Sequence, residues 1–223
     1  MAIRGLLFDF DGLLIDTETP SRRAYEDLYR EHGHELPLEK WATLVGTIGA
    51  QFDPDAHLEE LVGSPLDWDR LTAWRRARED ELCDLEDLRP GIEDYLAEAE
   101  RLGLATAIVS SSTVEWISRH LERLGRVNGW GAIIAADGDV TRAKPQPALY
   151  LEALDRLGLQ PHEAIAFEDS VNGIRAAKGA GVFCVAVPNP ITETFVLDEA
   201  DLLLGSLEDL SLEDLIARVD DPG

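Results

Sequence analysis

The sequence predicts an α/β fold: a doubly wound parallel sheet of Rossmann-like type, with an all-helical cap inserted after its first strand. Three observations predict it. Short apolar runs of strand length recur along the chain, helical patterns lie between them, and the stretch from 17 to about 87 holds helical segments alone.

Taken in order, IRGLLFDF (3–10) reads as a buried parallel strand, although Asp9 and Asp11 interrupt its apolar run. The helical stretch follows, with SRRAYEDLYREHG and LDWDRLTAWRRAREDELCDLEDL inside it and RPG (89–91) closing it. We expect residues 17–87 to form a cap domain. Two adjacent connections would join it to a core of residues 1–16 and 88–223 and let it move as a lid. The core then alternates: helix GIEDYLAEAERLG, strand LATAIVSS (104–111), helix TVEWISRHLERLG, strand GAIIAA (131–136), helix QPALYLEALDRLG and strand AIAFED (164–169). Helix SVNGIRAAKGAG and the strands VFCVAV (182–187) and ADLLLG (200–205) complete it. Gly103, Gly125 and Gly158 follow leucines where a helix ends and a left-handed residue is needed. Gly173, Ala176, Ala177, Gly179 and Ala180 let their helix lie close to the sheet.

At 223 residues and 45% apolar content, the chain can build a sizeable core. Its 44 acidic residues against 20 basic ones give a formal charge of -24, which repels nucleic acids and anionic membranes over most of the surface. Two cysteines make no disulfide framework, and Cys184 in VFCVAV reads as a core hydrophobe. No run approaches the ~18 apolar residues of a membrane span, so we expect a cytoplasmic protein with no nucleic-acid or membrane partner; its oligomeric state stays open, with a monomer the first expectation. The five histidines have no metal-ligand spacing, and Trp41, Trp68, Trp74 and Trp116 read as packing residues.

In open parallel sheets ligands bind beyond the C-terminal strand ends. The first strand ends in Asp9 and Asp11, the second in Ser110 and the fourth in Glu168 and Asp169, while Lys144 lies in the loop after the third. Lys144 is one of only three lysines, so its place beside a motif is informative. Taken singly, Asp11 is a turn residue, Ser110 a helix cap and Lys144 a loop residue. Their coincidence at four successive sheet ends is what those readings leave unexplained. Carboxylates, a hydroxyl and an ammonium group at one place are the inventory of magnesium-assisted phosphoryl transfer. Asp9 and Asp169 suit Mg²⁺ ligands, and one carboxylate can attack phosphorus while a second moves protons. Lys144 and Ser110 would neutralise the phosphoryl oxygens.

The segments DFDGLLIDTE, IVSSS, AKPQP and FEDSVNGIRAAKGAG resemble, in order, the four motifs of the haloacid dehalogenase-like hydrolases. The likeness spans the chain, and the helical insertion resembles the helical-cap subfamily of β-phosphoglucomutase and of sugar-phosphate and phosphoglycolate phosphatases. This resemblance implies that Asp9 is the nucleophile and Asp11 the general acid/base. Ser110, with Ser111 beside it, and Lys144 would bind phosphate. Mg²⁺ would be held by Asp9, Asp169 and the backbone carbonyl of Asp11, with Glu168 a ligand or its neighbour.

Two departures bear on phosphomutase chemistry. Pro20 and Ser21 stand where mutases carry a histidine, and Thr47, Ile48 and Gly49 stand where they tend to carry a phosphate-binding arginine. Arg22, Arg23, Arg75, Arg76 or Arg78 could approach the site from another direction. The expected function is therefore a Mg²⁺-dependent phosphatase acting on a small phosphorylated metabolite through an aspartyl phosphate. The alternatives are a β-phosphoglucomutase-like phosphomutase and a non-catalytic phosphate-binding regulatory protein.

Overall fold

In the computed structural model, which describes residues 2–41 and 52–220, six parallel strands make one sheet in the order β3-β2-β1-β4-β5-β6. Strand β1 (Gly5–Phe8) is followed by α1 (Glu18–Glu31), α2 (Leu38–Trp41), α3 (Pro54–Val62) and α4 (Trp68–Cys83). Then come α5 (Ile92–Leu102), β2 (Ala105–Ser110), α6 (Val114–Arg123), β3 (Ala132–Ala135), α7 (Ala148–Leu157) and β4 (Ala164–Glu168). The chain ends with α8 (Val171–Gly179), β5 (Phe183–Ala186), the two-residue β6 (Leu202–Leu203) and α9 (Leu212–Asp220). The strand order reverses direction at β1, which lies between β2 and β4, and a crevice opens there at the carboxyl ends.

Successive strand residues face opposite sides, so Leu6 and Phe8 pack with α5, α6 and α9, while Leu7 packs with α7 and α8. Both faces are covered, which is why the strands read as continuous apolar runs. Each apolar run is longer than its strand: β1 stops at Phe8, so both aspartates stand just past the ladder. Helix α4 ends at Cys83, earlier than its helical pattern suggests, because the chain must turn there and return to the core.

The helices between 18 and 83 bury their own apolar cluster of Leu28, Tyr29, Leu36, Trp41 and Leu58, to which Ile191 of the core adds. Among the described residues this stretch contributes no strand. Its entry and exit lie side by side: Ile15 forms an antiparallel bridge with Leu88, and the Arg89 N–H donates to the Leu14 carbonyl at 2.9 Å. The two cysteines are free and buried, and no helix of the described residues is long and apolar enough to cross a membrane. Thr47, Ile48 and Gly49 lie outside the described residues.

Candidate active site

Three strand ends meet at the crevice. Phe8 is level with Ile108 of β2 and Phe167 of β4, and the Asp9 N–H continues the ladder by donating to the Phe167 carbonyl at 3.0 Å. Asp9 is thereby fixed by strand geometry and almost fully buried. Its Oδ1 accepts from the Phe10 N–H at 2.6 Å and lies 2.7 Å from Lys144 Nζ. The same ammonium is 2.6 Å from Oε1 of Glu168. Burial alone would lower the Lys144 pKa, but the two carboxylates outweigh it and raise it, so the lysine is a fixed cation.

Asp11 has different surroundings. Gly12, at φ +80°, turns the chain after it. Its Oδ1 accepts from the Trp116 indole N–H at 2.8 Å and from the Thr17 hydroxyl at 3.2 Å. Its Oδ2 accepts from the hydroxyls of Ser110, at 3.2 Å, and Ser112. Burial raises the Asp11 pKa and the Asp9 charge adds to that, while the donors of Ser112, Trp116 and Ser110 oppose it. The two aspartates are thus electrostatically unequal: one is clamped to a cation, and the other is desolvated among neutral donors.

The remaining expected residues also converge. Ser110 ends β2, and its hydroxyl oxygen accepts from the Ser112 N–H at 3.0 Å. Ser111 accepts from the Lys144 N–H at 3.1 Å, which ties the β2 loop to the lysine loop. Asp9, Asp11, Ser110, Ser111, Lys144 and Asp169 line one cavity of about 810 Å³. Glu168, fully buried, is set behind it and bonded through Oε1 to Lys144 and the Tyr150 hydroxyl.

Oxygen atoms of Asp9, Glu168 and Asp169 lie within 4.8 Å of one another, and all three residues are buried. Burial, then repulsion from Asp9 and Glu168, pushes the Asp169 pKa well up. Burial and Asp9 likewise raise that of Glu168, against the pull of Lys144 and Tyr150. Glu168 Oε2 has no hydrogen-bond partner. Hard oxygen donors, an unanswered buried oxygen and a single touching ammonium fit a small divalent cation such as Mg²⁺.

Sequence reasoning missed several supporting residues. Trp116 packs against His120, as an amphipathic helix predicts, but its N–H also holds Asp11. Asn189 donates to Asp169 Oδ2 at 2.7 Å, while its own Oδ1 accepts from the N–H groups of Ile191 and Thr192. Arg89 donates to the carbonyls of Gly12, Val187 and Pro188, and so braces the loop between the aspartates and the sheet. Of the five arginines of the helical stretch singled out above, Arg76 lines the cavity. Arg75 instead pairs with Glu79 and Arg78 with Asp27.

A six-stranded parallel sheet with paired aspartates after its central strand, and a serine, a lysine and an acidic pair at the neighbouring ends, defines a hydrolase class. The sequence pattern of the haloacid dehalogenase-like hydrolases matches residues 3–181, and the chain belongs to that family. It is 44% identical over 210 residues to YhcW of Bacillus subtilis (strain 168), spanning 94% of each chain. It is 31% identical to the validoxylamine A 7'-phosphate phosphatase of Streptomyces hygroscopicus subsp. limoneus, over 92% of this chain and 94% of that one. A variant of CbbY from Rhodobacter sphaeroides, solved with xylulose-(1,5)-bisphosphate, superimposes with a TM-score of 0.74 at 31% identity, covering 96% of this chain and 99% of that one.

Proposed function

We propose that the protein is a Mg²⁺-dependent phosphatase of a small phosphorylated metabolite, working through an aspartyl phosphate on Asp9. The observation that carries this reading is the unequal pair in one cavity: Asp9 held by Lys144, and Asp11 held by Ser110, Ser112 and Trp116. The relatives named as phosphatases agree with it.

In this reading Asp9 attacks phosphorus through Oδ2, the oxygen left free while Oδ1 bonds to Phe10 and Lys144. The ester P–O bond breaks as Asp11 donates its proton to the departing alkoxide. Asp11, now ionised, takes a proton from water, the resulting hydroxide attacks phosphorus, and the bond to Asp9 breaks to release phosphate. Lys144 and the Ser110–Ser111 turn steady the phosphoryl oxygens. Asp9, Asp169 and Glu168, with the Asp11 carbonyl, would hold Mg²⁺, which when bound supplies charge neutralisation for the attacking and attacked groups. Residues 17–87 act as a cap over this site, pivoting where Ile15 bridges Leu88. Of Pro20 and Ser21, which stand in the vicinity of the mutase histidine, Ser21 lines the cavity and neither offers an imidazole, which favours hydrolysis over transfer.

Asp9→Asn is expected to abolish turnover of an aryl phosphate, and EDTA to do so reversibly. Activity surviving either change overturns the mechanism. Isomerisation of a sugar phosphate primed by a bisphosphate would establish the mutase instead, and phosphate binding without turnover of any ester would establish the regulatory protein.

A further inference from the structure

We propose that Glu18 and Arg76 form the acceptor and donor that read the hydroxyls of a neutral, polyhydroxylated leaving group and disfavour a substrate bearing a second phosphate. This rests on the phosphatase reading and assigns specificity within the same cavity.

The helical stretch gives the cavity four ionisable side chains: Glu18, Arg76, Glu79 and Asp80. Two are already answered. Glu79 accepts from Arg75 at 2.7 Å, and Asp80 accepts from Arg119 at 2.6 Å. Among the described residues, the carboxylate of Glu18 and the guanidinium of Arg76 make no hydrogen bond or ion pair. Each therefore presents its full hydrogen-bonding capacity to whatever enters. A carboxylate accepts from hydroxyls and a guanidinium donates to them in a planar fork, so together they match a carbon chain carrying several hydroxyls.

The charge balance argues against a second phosphate. Six acidic side chains line the cavity, from Asp9, Asp11, Glu18, Glu79, Asp80 and Asp169, against the cations Arg76 and Lys144, but Glu79 and Asp80 are each paired with an arginine, Arg75 and Arg119. Lys144 is committed to Asp9 and Glu168. A divalent ion and the reacting phosphoryl group largely offset each other, leaving Arg76 to face any further anion with the carboxylate of Glu18 in the same lining, while Glu79 and Asp80 are held by Arg75 and Arg119. Residues 42–51, ATLVGTIGAQ, contain no charged side chain and add no cation. Glu18 also feels this field: burial and then the charges of Asp11 and Asp16 push its pKa up to about 7. At neutral pH it is thus part protonated and can donate as well as accept.

The test compares sorbitol 6-phosphate with the corresponding 1,6-bisphosphate, and both with an aryl phosphate, under saturating Mg²⁺. The wild-type enzyme is expected to favour the monophosphate in kcat/KM by about tenfold or more. Arg76→Ala and Glu18→Gln should raise KM for the monophosphate by about tenfold, the size of one hydrogen bond to a charged group. They should reduce kcat/KM for the aryl ester by a smaller factor. Glu18→Lys should narrow the preference against the bisphosphate. A bisphosphate preferred by the wild type, or variants that lower hexitol and aryl ester turnover by the same factor, overturns this inference and leaves the phosphatase reading standing. Absence of turnover with every ester, the aryl phosphate included, overturns both. The wild-type ratio decides the point even if a variant fails to fold.

Discussion

Asp9 and Asp11 are two residues apart and differ in what touches them. Asp9 was legible in the sequence because a carboxylate in the apolar run LLFDF demands a reason. Ser110, Lys144 and Asp169 were legible because each belongs to a short segment at a strand end. Trp116 was not: it lies 105 residues from Asp11, on a helix whose pattern explains the tryptophan by packing alone. Asn189 sits in the loop after β5, where no periodicity marks a residue, and its role depends on how that loop folds back onto Asp169. The five arginines could not be ranked from sequence either, since neighbours such as Arg75 and Arg76 differ only in which way the helix turns them. Trp116→Phe keeps an aromatic ring, smaller than the indole that packs on His120, and removes one N–H donor to Asp11. It is expected to lower kcat on an aryl phosphate by about tenfold with little change in KM, the loss of one charge-assisted hydrogen bond. Steady-state kinetics check this, and an unaltered kcat would remove Trp116 from the proton-transfer apparatus.

Among the elements, the six strands and the helices between them were readable because apolar runs of strand length alternate with helix-length amphipathic patterns. Helix α9 was missed, although Leu212, Leu215, Ile216 and Val219 follow helical spacing and pack on the sheet. The turns depend on close approaches that composition does not reveal. At Gly12, a Cβ would lie 2.3 Å from Asp169 Oδ2 and 2.7 Å from Asn189 Nδ2, in a backbone conformation side chains rarely adopt. At Gly173, first read as a packing glycine of α8, a Cβ would collide with the Glu168 carboxylate. Both glycines make room for an acidic side chain. Gly12→Ala is expected to cost about 1–2 kcal/mol from backbone strain alone, more if Asp169 must move. It should also weaken Mg²⁺ binding. Denaturant unfolding and calorimetric Mg²⁺ titration check the two effects, and a variant with normal Mg²⁺ affinity would show that Asp169 is not displaced.

For the whole molecule, the concentration of buried acid at one sheet edge has a thermodynamic cost that depends on pH. The folded pKa values of Asp11, Glu18, Glu168 and Asp169 are raised, so the folded chain binds protons more readily than the unfolded one. Their contribution to stability is full below the unfolded value of 4.5 for glutamate and fades as pH rises through the folded values, near 7 for Glu18 and 8 for Glu168. Buried His120 acts the other way below its usual 6.5, because burial and then Arg119 and Arg123 lower its pKa. The metal-free protein should therefore melt at a higher temperature at pH 6.5 than at pH 8. Excess Mg²⁺, which answers the same charge, should flatten that slope. Differential scanning calorimetry with and without EDTA checks both, and a metal-free Tm that rises with pH over this interval would contradict it.

The bridge between Ile15 and Leu88 has one more consequence. Everything between those residues leaves and rejoins the sheet at a single point, beside a loop braced separately by Arg89. The intervening helices bury an apolar cluster of their own, to which the core adds Ile191. On the proposed division into core and cap, a stretch of different length or shape spliced at the same two residues would leave the register of β1 undisturbed. Asp9 and Lys144 would keep their places whatever hung above them. Under the proposed function, with residues 17–87 as the cap, the reaction would be inherited with the sheet and the substrate with the spliced stretch, so that one could change over generations while the other is retained.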